Sequence, residues 1–395
     1  MAAEVYLDAC ATSPPAAPVL AAMAAAHAEA WGNPSSLHGF GMAASELLER
    51  SRMRVAAHLG VEPAQLVFVS GGSEANHAAL LGVAAHLPPS RLLISAVEHP
   101  ALVAAAAQLE ARGWQVQRLP VNGLGVVDLE ALERWLELPT RLVSVLWGQS
   151  EVGALQPIEA IGERCRAAGV LFHTDAVQVV GHRPVDLRRL PVDLLSCTAH
   201  KLQGPRGIGA LALAPGVAIE PLIGGGGQEG GRRGGTEPVA LAAGFAAALD
   251  LAGERLAAQG GRDPLEPLRD RLLEHLRALP GVRLSGPEPG QGWGRLPHHI
   301  SLLVGDAAGH PLSGRALVRA LWREGYAVSS GSACSSGAGG SPGRGASAVL
   351  RAMGLPEAEA ASGVRLSLGP WLTPADLEGV PAALERARSA VARAG

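Results

Sequence analysis

Short apolar runs alternate with longer amphipathic stretches between Leu66 and Leu213. Apolar runs of this length are typical of buried strands, and apolar residues that recur every three or four positions are typical of helices. The predicted strands are Leu66–Val69, Arg91–Ala96, Arg141–Leu146, Val170–His173, Asp193–Cys197 and Ile208–Leu213. The predicted helices are Asn76–His86, Pro100–Arg112 and Ile158–Ala168. This alternation indicates an α/β protein with a mostly parallel, doubly wound sheet.

The C-terminal part of the chain follows a different pattern. A long amphipathic stretch runs from about Ala240 to Ala278, and two further apolar strands are predicted at His299–Val304 and Val364–Leu368. We expect these elements to form a second, smaller domain.

The composition is typical of a globular enzyme. Of the 395 residues, 48% are hydrophobic and 17% are charged, which supplies a core and excludes a disordered protein. The net charge of −3 excludes a generally basic nucleic-acid-binding protein. We find no basic, aromatic-interleaved surface that would bind a nucleic acid directly.

The cysteines and the N-terminal segment indicate the compartment. The chain starts without the basic and apolar regions of a signal peptide, and its longest uncharged apolar stretch is too short to span a bilayer. The four cysteines form no CxxC pair, which argues against a metal site and against a disulfide framework. We therefore expect a cytoplasmic protein with no membrane partner and no metal.

Polar and small residues follow the first predicted strand of the sheet. The run from Ser70 to Asn76, with Gly72 and Ser73 at its centre, opens a predicted helix. Backbone N–H groups can approach an anion closely in such a run, and the positive end of the helix favours negative charge. A phosphate-bearing ligand and an ordinary capped helix start both explain this pattern.

The lysine content singles out one residue. Of the 33 basic residues, 32 are arginine and Lys201 is the only lysine. An arginine stays protonated and cannot act as an amine nucleophile, whereas a lysine can. Lys201 has therefore either remained by chance while other lysines were replaced by arginine, or it lies at a position where an amine is required.

His99, Asp175 and the run from Thr198 to Lys201 each follow a predicted strand. A phosphate site, a histidine, an aspartate and one lysine at strand ends suit pyridoxal phosphate, because lysine forms the Schiff base and aspartate keeps the pyridine nitrogen protonated. Residues 225–230 match the dinucleotide pattern GxGxxG, but Arg232 and Arg233 follow instead of a helix. We therefore favour pyridoxal phosphate.

Two residues of the C-terminal part are further candidates. Cys334 has small or polar neighbours apart from Ala333, which predicts an exposed nucleophilic thiol on a mobile loop over about residues 329–347. Arg365 lies within an apolar strand, where a buried guanidinium binds either a substrate carboxylate or a structural carboxylate. The other cysteines, in apolar or helical settings, are predicted to be core residues: Cys10, Cys165 and Cys197.

These motifs together resemble the cysteine desulfurases of the class V aminotransferase family, and the resemblance runs nearly end to end. It is closest to the subgroup with a long cysteine loop that serves nitrogenase and general iron–sulfur assembly. The segments that carry it are 6–8 with 11–12, 32–38, 70–76, 98–99, 173–178, 200–201, 225–229, 233–236, the Cys334 loop and 365–369.

The resemblance implies an aspartate-aminotransferase-like fold, known as fold type I of the pyridoxal-phosphate enzymes. A large domain over residues 12–255 would contain a mostly parallel seven-stranded sheet. A smaller α+β domain would combine residues 1–11 with residues 256–395. The family also forms homodimers whose active sites are shared between subunits, so we expect a homodimer here.

The resemblance further implies a role for each matching residue. Lys201 would carry the cofactor and move the α-proton, His99 would stack on the ring and act as an acid–base group, and Cys334 would attack the substrate sulfur. Arg365 with Asn33 would hold the substrate carboxylate. The other cofactor-binding residues would be Gly72, Ser73, Ser150, Asp175 for the pyridine nitrogen, Gln178 for the ring hydroxyl, Thr198, His200 and Thr236 of the partner subunit.

One motif departs from the family pattern. The family usually has Asn-Asn-Glu before a Val-Gly or Ile-Gly pair, and this chain has Gln149 and Ser150 before Glu151. Ser150 stands where an asparagine normally contacts the cofactor ring hydroxyl and the substrate, and serine is shorter. Gln149 reaching in, or water, would fill the gap. The departure bears on rate and substrate preference more than on cofactor binding.

The implied activity is the conversion of L-cysteine to L-alanine with sulfur transferred to Cys334 as a persulfide. The persulfide acceptor would be an iron–sulfur scaffold or a thiolation protein. Three alternatives remain: a cysteine or cystine C–S lyase, a selenocysteine lyase, and a non-catalytic sulfur-relay scaffold on the same fold. A plain lyase needs no protein thiol, so the Cys334 motif argues against it.

Overall fold

The structure is a computed structural model that describes residues 4–137, 139–331 and 346–394. Its strands are β1 (Val5–Tyr6), β2 (Leu66–Val69), β3 (Arg91–Ser95), β4 (Gln115–Leu119), β5 (Thr140–Ser144), β6 (Leu171–Asp175), β7 (Leu194–Thr198), β8 (Gly209–Leu213), β9 (Val282–Leu284), β10 (His299–Val304), β11 (Tyr326–Ala327) and β12 (Gly363–Ser367). Its helices are α1 (Ala17–Glu29), α2 (Gly39–Leu59), α3 (Gly72–His77), α4 (Pro100–Glu110), α5 (Leu129–Leu136), α6 (Ile158–Ala167), α7 (Val239–Ala257), α8 (Leu265–Arg277), α9 (Gly314–Arg323), α10 (Ala348–Ala352), α11 (Glu357–Ala360), α12 (Pro374–Leu377) and α13 (Val380–Ala394).

Seven strands form one sheet in the order β2-β8-β7-β6-β5-β3-β4. Strand β8 runs antiparallel to both of its neighbours, and the remaining pairs are parallel. This confirms the predicted α/β class with a mostly parallel sheet. The pattern of apolar runs had missed β4, because this edge strand has the sequence QVQRL and buries only Leu119 fully.

Hydrophobic side chains cover both faces of this sheet. In β3, Leu93 packs into one cluster with Phe172 and Phe245, whereas Leu92 and Ile94 pack into a second cluster on the opposite face. Successive side chains of a strand point to opposite faces, so a strand that is buried on both faces reads as a continuous apolar run. The sheet is therefore a central layer between two helical layers.

The C-terminal elements and the N-terminal strand form another core. Strands β9, β10 and β12 form an antiparallel sheet, and β1 pairs with β11 in parallel. Leu7, Leu302 and Leu366 lie in one hydrophobic cluster with residues of α8, α9 and α13. The two strands predicted for this part are confirmed, and the division between residues 12–255 and the rest stays a prediction.

The amphipathic stretch predicted over 240–278 forms two helices, α7 and α8. Gly260 and Gly261 have φ angles of +62° and +88°, which end α7 in the left-handed region that favours glycine. Pro264 precedes α8, and Asp263 Oδ1 accepts a hydrogen bond from the Leu265 N–H. Periodicity continued across the break, but glycine and proline set the actual boundary.

Within the described ranges, no helix is both long and apolar enough to cross a membrane.

Gly209 of β8 provides a test of how tightly the sheet packs beside the predicted phosphate site. A Cβ at this position would lie 2.6 Å from the Cys197 carbonyl oxygen and 2.9 Å from Gly71 Cα. We expect Gly209→Ala to lower the free energy of unfolding by about 1–3 kcal/mol, since backbone atoms cannot move aside easily. Gly39→Ala is the control, because its Cβ would meet nothing within 4 Å. Chemical denaturation measures both, and equal stability of the two variants would contradict this packing.

Candidate active site

The predicted site residues lie at the carboxyl ends of parallel strands and in the loops that follow. Asp175 is the last residue of β6, Thr198 is the last residue of β7, and Lys201 ends a short 3-10 turn directly after β7. His99 is the N-cap of α4, which follows β3. Ligands of such sheets bind outside these strand ends. The sheet therefore brings together residues that are up to about a hundred positions apart in the sequence.

Gly71, Gly72, Ser73 and Thr198 form what we call the anion cradle. Helix α3 begins at Gly72, and its first backbone N–H groups have no carbonyl partner within the helix because they lie at its start. The helix continues through a π-helical turn over Ala78–Gly82. A Cβ on Gly71 would point into open space with only Thr198 Oγ1 nearby, at 3.9 Å. Ser73 is exposed, and the Thr198 hydroxyl donates to the Ile208 carbonyl at 3.0 Å. The cradle can hold a phosphate group against the positive end of the helix.

Asp175 is a buried carboxylate with a defined orientation. Its Oδ2 accepts a hydrogen bond of 2.7 Å from Asn76 Nδ2, and its Oδ1 accepts one of 3.0 Å from the Val177 N–H. Asn76 Oδ1 is buried and has no hydrogen-bond partner among the described residues. Sequence reasoning had assigned no role to Asn76, although it is one of only three asparagines in the chain.

Lys201 and Gln178 meet at one backbone carbonyl. Lys201 Nζ donates to the Cys10 carbonyl at 2.5 Å and to the Ala11 carbonyl at 2.7 Å. Gln178 Nε2 donates to the same Cys10 carbonyl at 3.0 Å. The N-terminal segment therefore holds the only lysine of the chain close to Gln178, at the strand ends where Asp175 lies.

Both histidines of the site have a lowered pKa. Burial, together with the nearby charges of Lys201 and Arg206, lowers the pKa of His200 to about 4. His99 is exposed in the single chain, yet desolvation by the surrounding protein lowers its pKa, an effect that the Asp175 carboxylate opposes and the Lys201 charge reinforces. His99 Nδ1 accepts from the Ala101 N–H at 3.1 Å. The neutral imidazole therefore carries its proton on Nε2, the atom that remains for chemistry.

Arg365 is buried in β12, and its guanidinium is partly occupied. Its Nη2 donates to Asp8 Oδ1 at 2.6 Å, and its Nη1 donates to the Ser150 carbonyl at 3.1 Å. Its Nε is buried without a hydrogen-bond partner among the described residues. Both expectations for Arg365 therefore keep support: it has a carboxylate partner in the chain, and it keeps N–H groups for a second carboxylate.

Two predicted residues lie apart from this network. Asn33 and Thr236 are exposed, and Asn33 Oδ1 accepts from the Ser35 N–H at 2.9 Å. No hydrogen bond within the described ranges joins Asn33 or Thr236 to the other candidate residues. Their assignments stay predictions that concern a substrate-bound or two-subunit state.

Gln149 stays within its own turn. Its Nε2 donates to the Val97 carbonyl at 3.2 Å, and its Oε1 accepts from the backbone N–H groups of Glu151 and Val152. Ser150 is half-buried, and its carbonyl faces Arg365. Gln149 therefore does not replace the missing asparagine side chain in this structure, and Ser150 contributes its backbone.

Glu98 is a buried carboxyl group that sequence reasoning noticed only as the neighbour of His99. Its Oε1 accepts from Ser95 Oγ at 2.6 Å and from the Leu146 N–H at 3.0 Å. Its Oε2 is buried and unpartnered among the described residues. Burial raises the pKa of Glu98 to about 8, with a further contribution from the Asp175 charge. A glutamate directly after the apolar run that ends at Val97 was the available signal.

Cys334 lies outside the described residues. The flanking residues Gly331 and Ser347 are described, and both lie beside Glu151, whose Oε2 accepts from Ser347 Oγ at 2.5 Å. Burial raises the pKa of Glu151 to about 7. The other three cysteines are buried free thiols, which confirms that Cys10, Cys165 and Cys197 are core residues. Within the described ranges, no cluster of three or more acidic, histidine or cysteine side chains could hold a metal ion.

Comparisons with known proteins give one consistent result. The profile of the family described as Aminotransferase class-V matches residues 5–380. A cysteine desulfurase IscS from Clostridium botulinum is 37% identical over 379 residues, which cover 95% of this chain and 92% of the relative. A cysteine desulfurase from Cereibacter sphaeroides is 40% identical over 379 residues, with 95% and 93% covered.

Solved structures agree with these sequence relatives. A structure titled as a NifS-like protein has a TM-score of 0.86 at 32% identity and covers 99% of this chain and 100% of its own. A structure titled as SspA in complex with cysteine has a TM-score of 0.78 at 29% identity, with 93% and 99% covered. The aspartate-aminotransferase-like fold class that the sequence predicted is confirmed.

The chain therefore belongs to the class-V aminotransferase family. Within that family, its curated relatives group it with the cysteine desulfurases.

The raised pKa of Glu98 predicts a pH dependence of stability. Its pKa rises from an ordinary 4.5 to about 8 on folding, so the folded chain binds one more proton than the unfolded chain between these pH values. Glu98 therefore makes the fold less stable as the pH rises from about 4.5 to about 8. Relative to the natural chain, Glu98→Gln should gain melting temperature over this range and gain no more above it.

Differential scanning fluorimetry between pH 5 and 9 at constant ionic strength measures this difference. Glu29→Gln is the matched control, because Glu29 is exposed. A difference between Glu98→Gln and the natural chain that stays constant with pH would contradict a protonated Glu98.

Proposed function

We propose that this chain is a pyridoxal-phosphate-dependent cysteine desulfurase, which converts L-cysteine to L-alanine and takes the sulfur onto Cys334 as a persulfide. The observation that carries the proposal is the meeting of the only lysine, a buried carboxylate and an anion cradle at one edge of the sheet. The names of the curated relatives support the reaction. The structure titled as SspA in complex with cysteine supports the substrate.

The residues present fit pyridoxal phosphate. A phosphate suits the anion cradle, where a Cβ on Gly71 would fill the open space. The buried, hydrogen-bonded carboxylate of Asp175 suits a protonated pyridine nitrogen. Residues that would hold the cofactor are Gly72, Ser73, His99, Ser150, Asp175, Gln178, Thr198, His200, Lys201 and Thr236 of the partner subunit. When bound, the cofactor acts as an electron sink that stabilises negative charge at the substrate α-carbon.

Lys201 and His99 would handle protons. The Lys201 amine donates hydrogen bonds to the Cys10 and Ala11 carbonyls. A backbone carbonyl accepts a hydrogen bond but does not remove the proton. The lowered pKa of His99 keeps its imidazole neutral near pH 7, with Nδ1 occupied by the Ala101 N–H. His99 Nε2 is then the atom that exchanges a proton with the substrate or the leaving group.

Arg365 would bind the substrate carboxylate. Its contacts with Asp8 and the Ser150 carbonyl hold the guanidinium plane, and its remaining N–H groups, including the buried Nε, can donate to a second carboxylate. Asn33 would complete this contact. An α-amino acid would thereby be oriented by its carboxylate before the reaction.

Cys334 would take up the sulfur as its thiolate. The thiolate sulfur forms a bond to the substrate sulfur while the carbon–sulfur bond breaks, and the electron pair of that bond remains on the substrate carbon. Protonation of this carbon completes alanine. Because the thiol form does not react, activity falls at low pH.

We also propose a cytoplasmic homodimer that passes its sulfur to an acceptor protein, either an iron–sulfur scaffold or a thiolation protein. The support for the dimer is a group of exposed apolar residues around the start of α2: Trp31, Leu37, Phe40 and Met42. The rings of Trp31 and Phe40 lie 5.0 Å apart. Large exposed apolar side chains grouped in this way mark an interaction surface, which we call the apolar patch. The net charge of −3 favours protein over nucleic-acid partners.

Replacement of Cys334 tests the sulfur-transfer role. Cys334→Ala should keep the yellow colour of the bound cofactor and lose alanine formation from L-cysteine, because nothing else would accept the sulfur. Sulfide, alanine and pyruvate are quantified together after incubation with L-cysteine and a thiol reductant. Cys165→Ala is the control, since Cys165 is a buried core thiol and its variant should keep turnover.

The product ratio separates the alternatives. Alanine equal to sulfide supports desulfuration, whereas pyruvate equal to sulfide would establish a C–S lyase. A parallel assay with L-selenocysteine shows which of the two substrates has the higher kcat/KM. Undiminished alanine formation in Cys334→Ala would overturn the role of Cys334, and a chain that binds no cofactor would support a non-catalytic scaffold.

A charge placed in the apolar patch tests the dimer. Phe40→Glu should convert a dimer into a monomer in sedimentation-velocity experiments, because an unpaired carboxylate cannot be buried in an apolar interface. It should also lower turnover at least tenfold, since Thr236 of the partner subunit would be lost. Trp322→Glu is the control, as Trp322 is similarly exposed but lies on α9. A natural chain that sediments as a monomer would refute the proposal.

A further inference from the structure

Two side chains converge on the backbone carbonyl of Ser150. Arg365 Nη1 donates to this oxygen at 3.1 Å, and His299 Nε2 lies 3.0 Å from it. His299 is the first residue of β10 and is completely buried. The carbonyl therefore forms a bridge between the arginine proposed for substrate binding and a histidine that the proposed mechanism does not use.

The neighbour on the other side of the ring fixes the tautomer of His299. Arg295 Nη1 lies 3.3 Å from His299 Nδ1, and a guanidinium can only donate. Nδ1 is therefore the acceptor, and Nε2 carries the proton that is donated to the Ser150 carbonyl. Burial lowers the pKa of His299 well below its usual value, and the charges of Arg295 and Arg365 lower it further. The imidazole keeps one protonation state and one direction of donation.

Arg295 is itself held by backbone oxygens. Its Nε donates to the Pro287 carbonyl at 2.7 Å, and its Nη2 donates to the Ser285 carbonyl. Gly153 makes room for the pair, because a Cβ there would lie 2.6 Å from His299 Nδ1 and 2.9 Å from Arg295 Nη1. The φ angle of Gly153 is +75°, which also favours glycine. The order of contacts is thus Arg295, His299, the Ser150 carbonyl and Arg365.

We propose that His299 is a positioning residue for substrate-carboxylate binding: through the Ser150 carbonyl it fixes the orientation of the Arg365 guanidinium. This inference rests on the proposed function, in which Arg365 binds the carboxylate of an α-amino acid. Asp8 holds one end of the guanidinium at Nη2, and the Ser150 carbonyl holds the other at Nη1. Without the His299 donor, the Ser150 peptide can rotate and Arg365 loses one of its two fixed contacts.

Ligand binding to the cofactor-loaded Cys334→Ala protein tests the inference without turnover. The Kd values of L-cysteine and of cysteamine, which lacks the carboxylate, are measured from the change in cofactor absorbance. In this background, His299→Leu should raise the Kd of L-cysteine about tenfold, the effect of one lost hydrogen bond, and leave that of cysteamine unchanged. His299→Gln should restore L-cysteine binding to within about threefold, since the amide nitrogen of glutamine can donate from near the Nε2 position.

The two ligands separate carboxylate binding from general damage to the site. An equal rise for L-cysteine and cysteamine, or no change for either, would overturn the inference. So would a His299→Gln variant that binds L-cysteine as weakly as His299→Leu. Circular dichroism and the melting temperature check folding, and if His299→Leu does not fold, His299→Asn takes its place because its shorter amide cannot reach the Ser150 carbonyl.

Arg365→Ala in the same background distinguishes this inference from the proposed function. Suppose that Arg365→Ala loses the preference for L-cysteine over cysteamine and that His299→Leu keeps it in full. This result would refute only the role of His299. An unchanged preference for L-cysteine over cysteamine in Arg365→Ala would refute the proposed substrate-carboxylate site itself.

Discussion

The burial of Asp175 at the end of the central strand β6 is the constraint on which the site depends. A buried carboxylate needs donors, and Asn76 of helix α3 and the Val177 N–H supply them. The contact with Asn76 ties the helix of the anion cradle to β6. The charge of Asp175 also raises the pKa of Glu98 and opposes the lowering of the His99 pKa. One carboxylate thus links the phosphate end of the site to its acid–base residues.

Around Asp175 the site separates charged from neutral groups. Glu98 is buried and His200 is half-buried, and neither has an opposite charge in contact, so desolvation shifts each pKa towards the neutral form. The charge of the buried Arg365 is compensated by Asp8, whose Oδ1 lies 2.6 Å from Nη2. In the proposed function, donors of the anion cradle would bind the cofactor phosphate, and the Arg365 guanidinium would bind the substrate carboxylate.

The glycine-rich run that matches a dinucleotide pattern has a different physical role. Glu229 lies within it at a φ of +51° and is completely engaged by two nitrogens of Arg52, each at 2.7 Å, and by the Phe68 N–H at 2.8 Å. This buried, fully bonded ion pair fastens the run to α2 and β2. The glycines allow the backbone to turn around it. The segment that leads to Thr236 is therefore anchored to the same sheet edge as the cradle.

The fold class and most of the candidate chemistry could be predicted from local patterns in the sequence. Buried strands read as apolar runs, the residues after them had to lie at one edge of the sheet, and a single lysine among 32 arginines stood out. Edge strand β4 and the break between α7 and α8 were missed, because an edge strand needs no continuous apolar run and helical periodicity continues across a turn. Three features follow only from tertiary packing: the ion pair of Asp8 with Arg365 across 357 positions, the burial that raises the pKa of Glu98, and the contact of His299 with the Ser150 carbonyl. These contacts depend on how separate elements pack in space, which no local pattern of residues encodes.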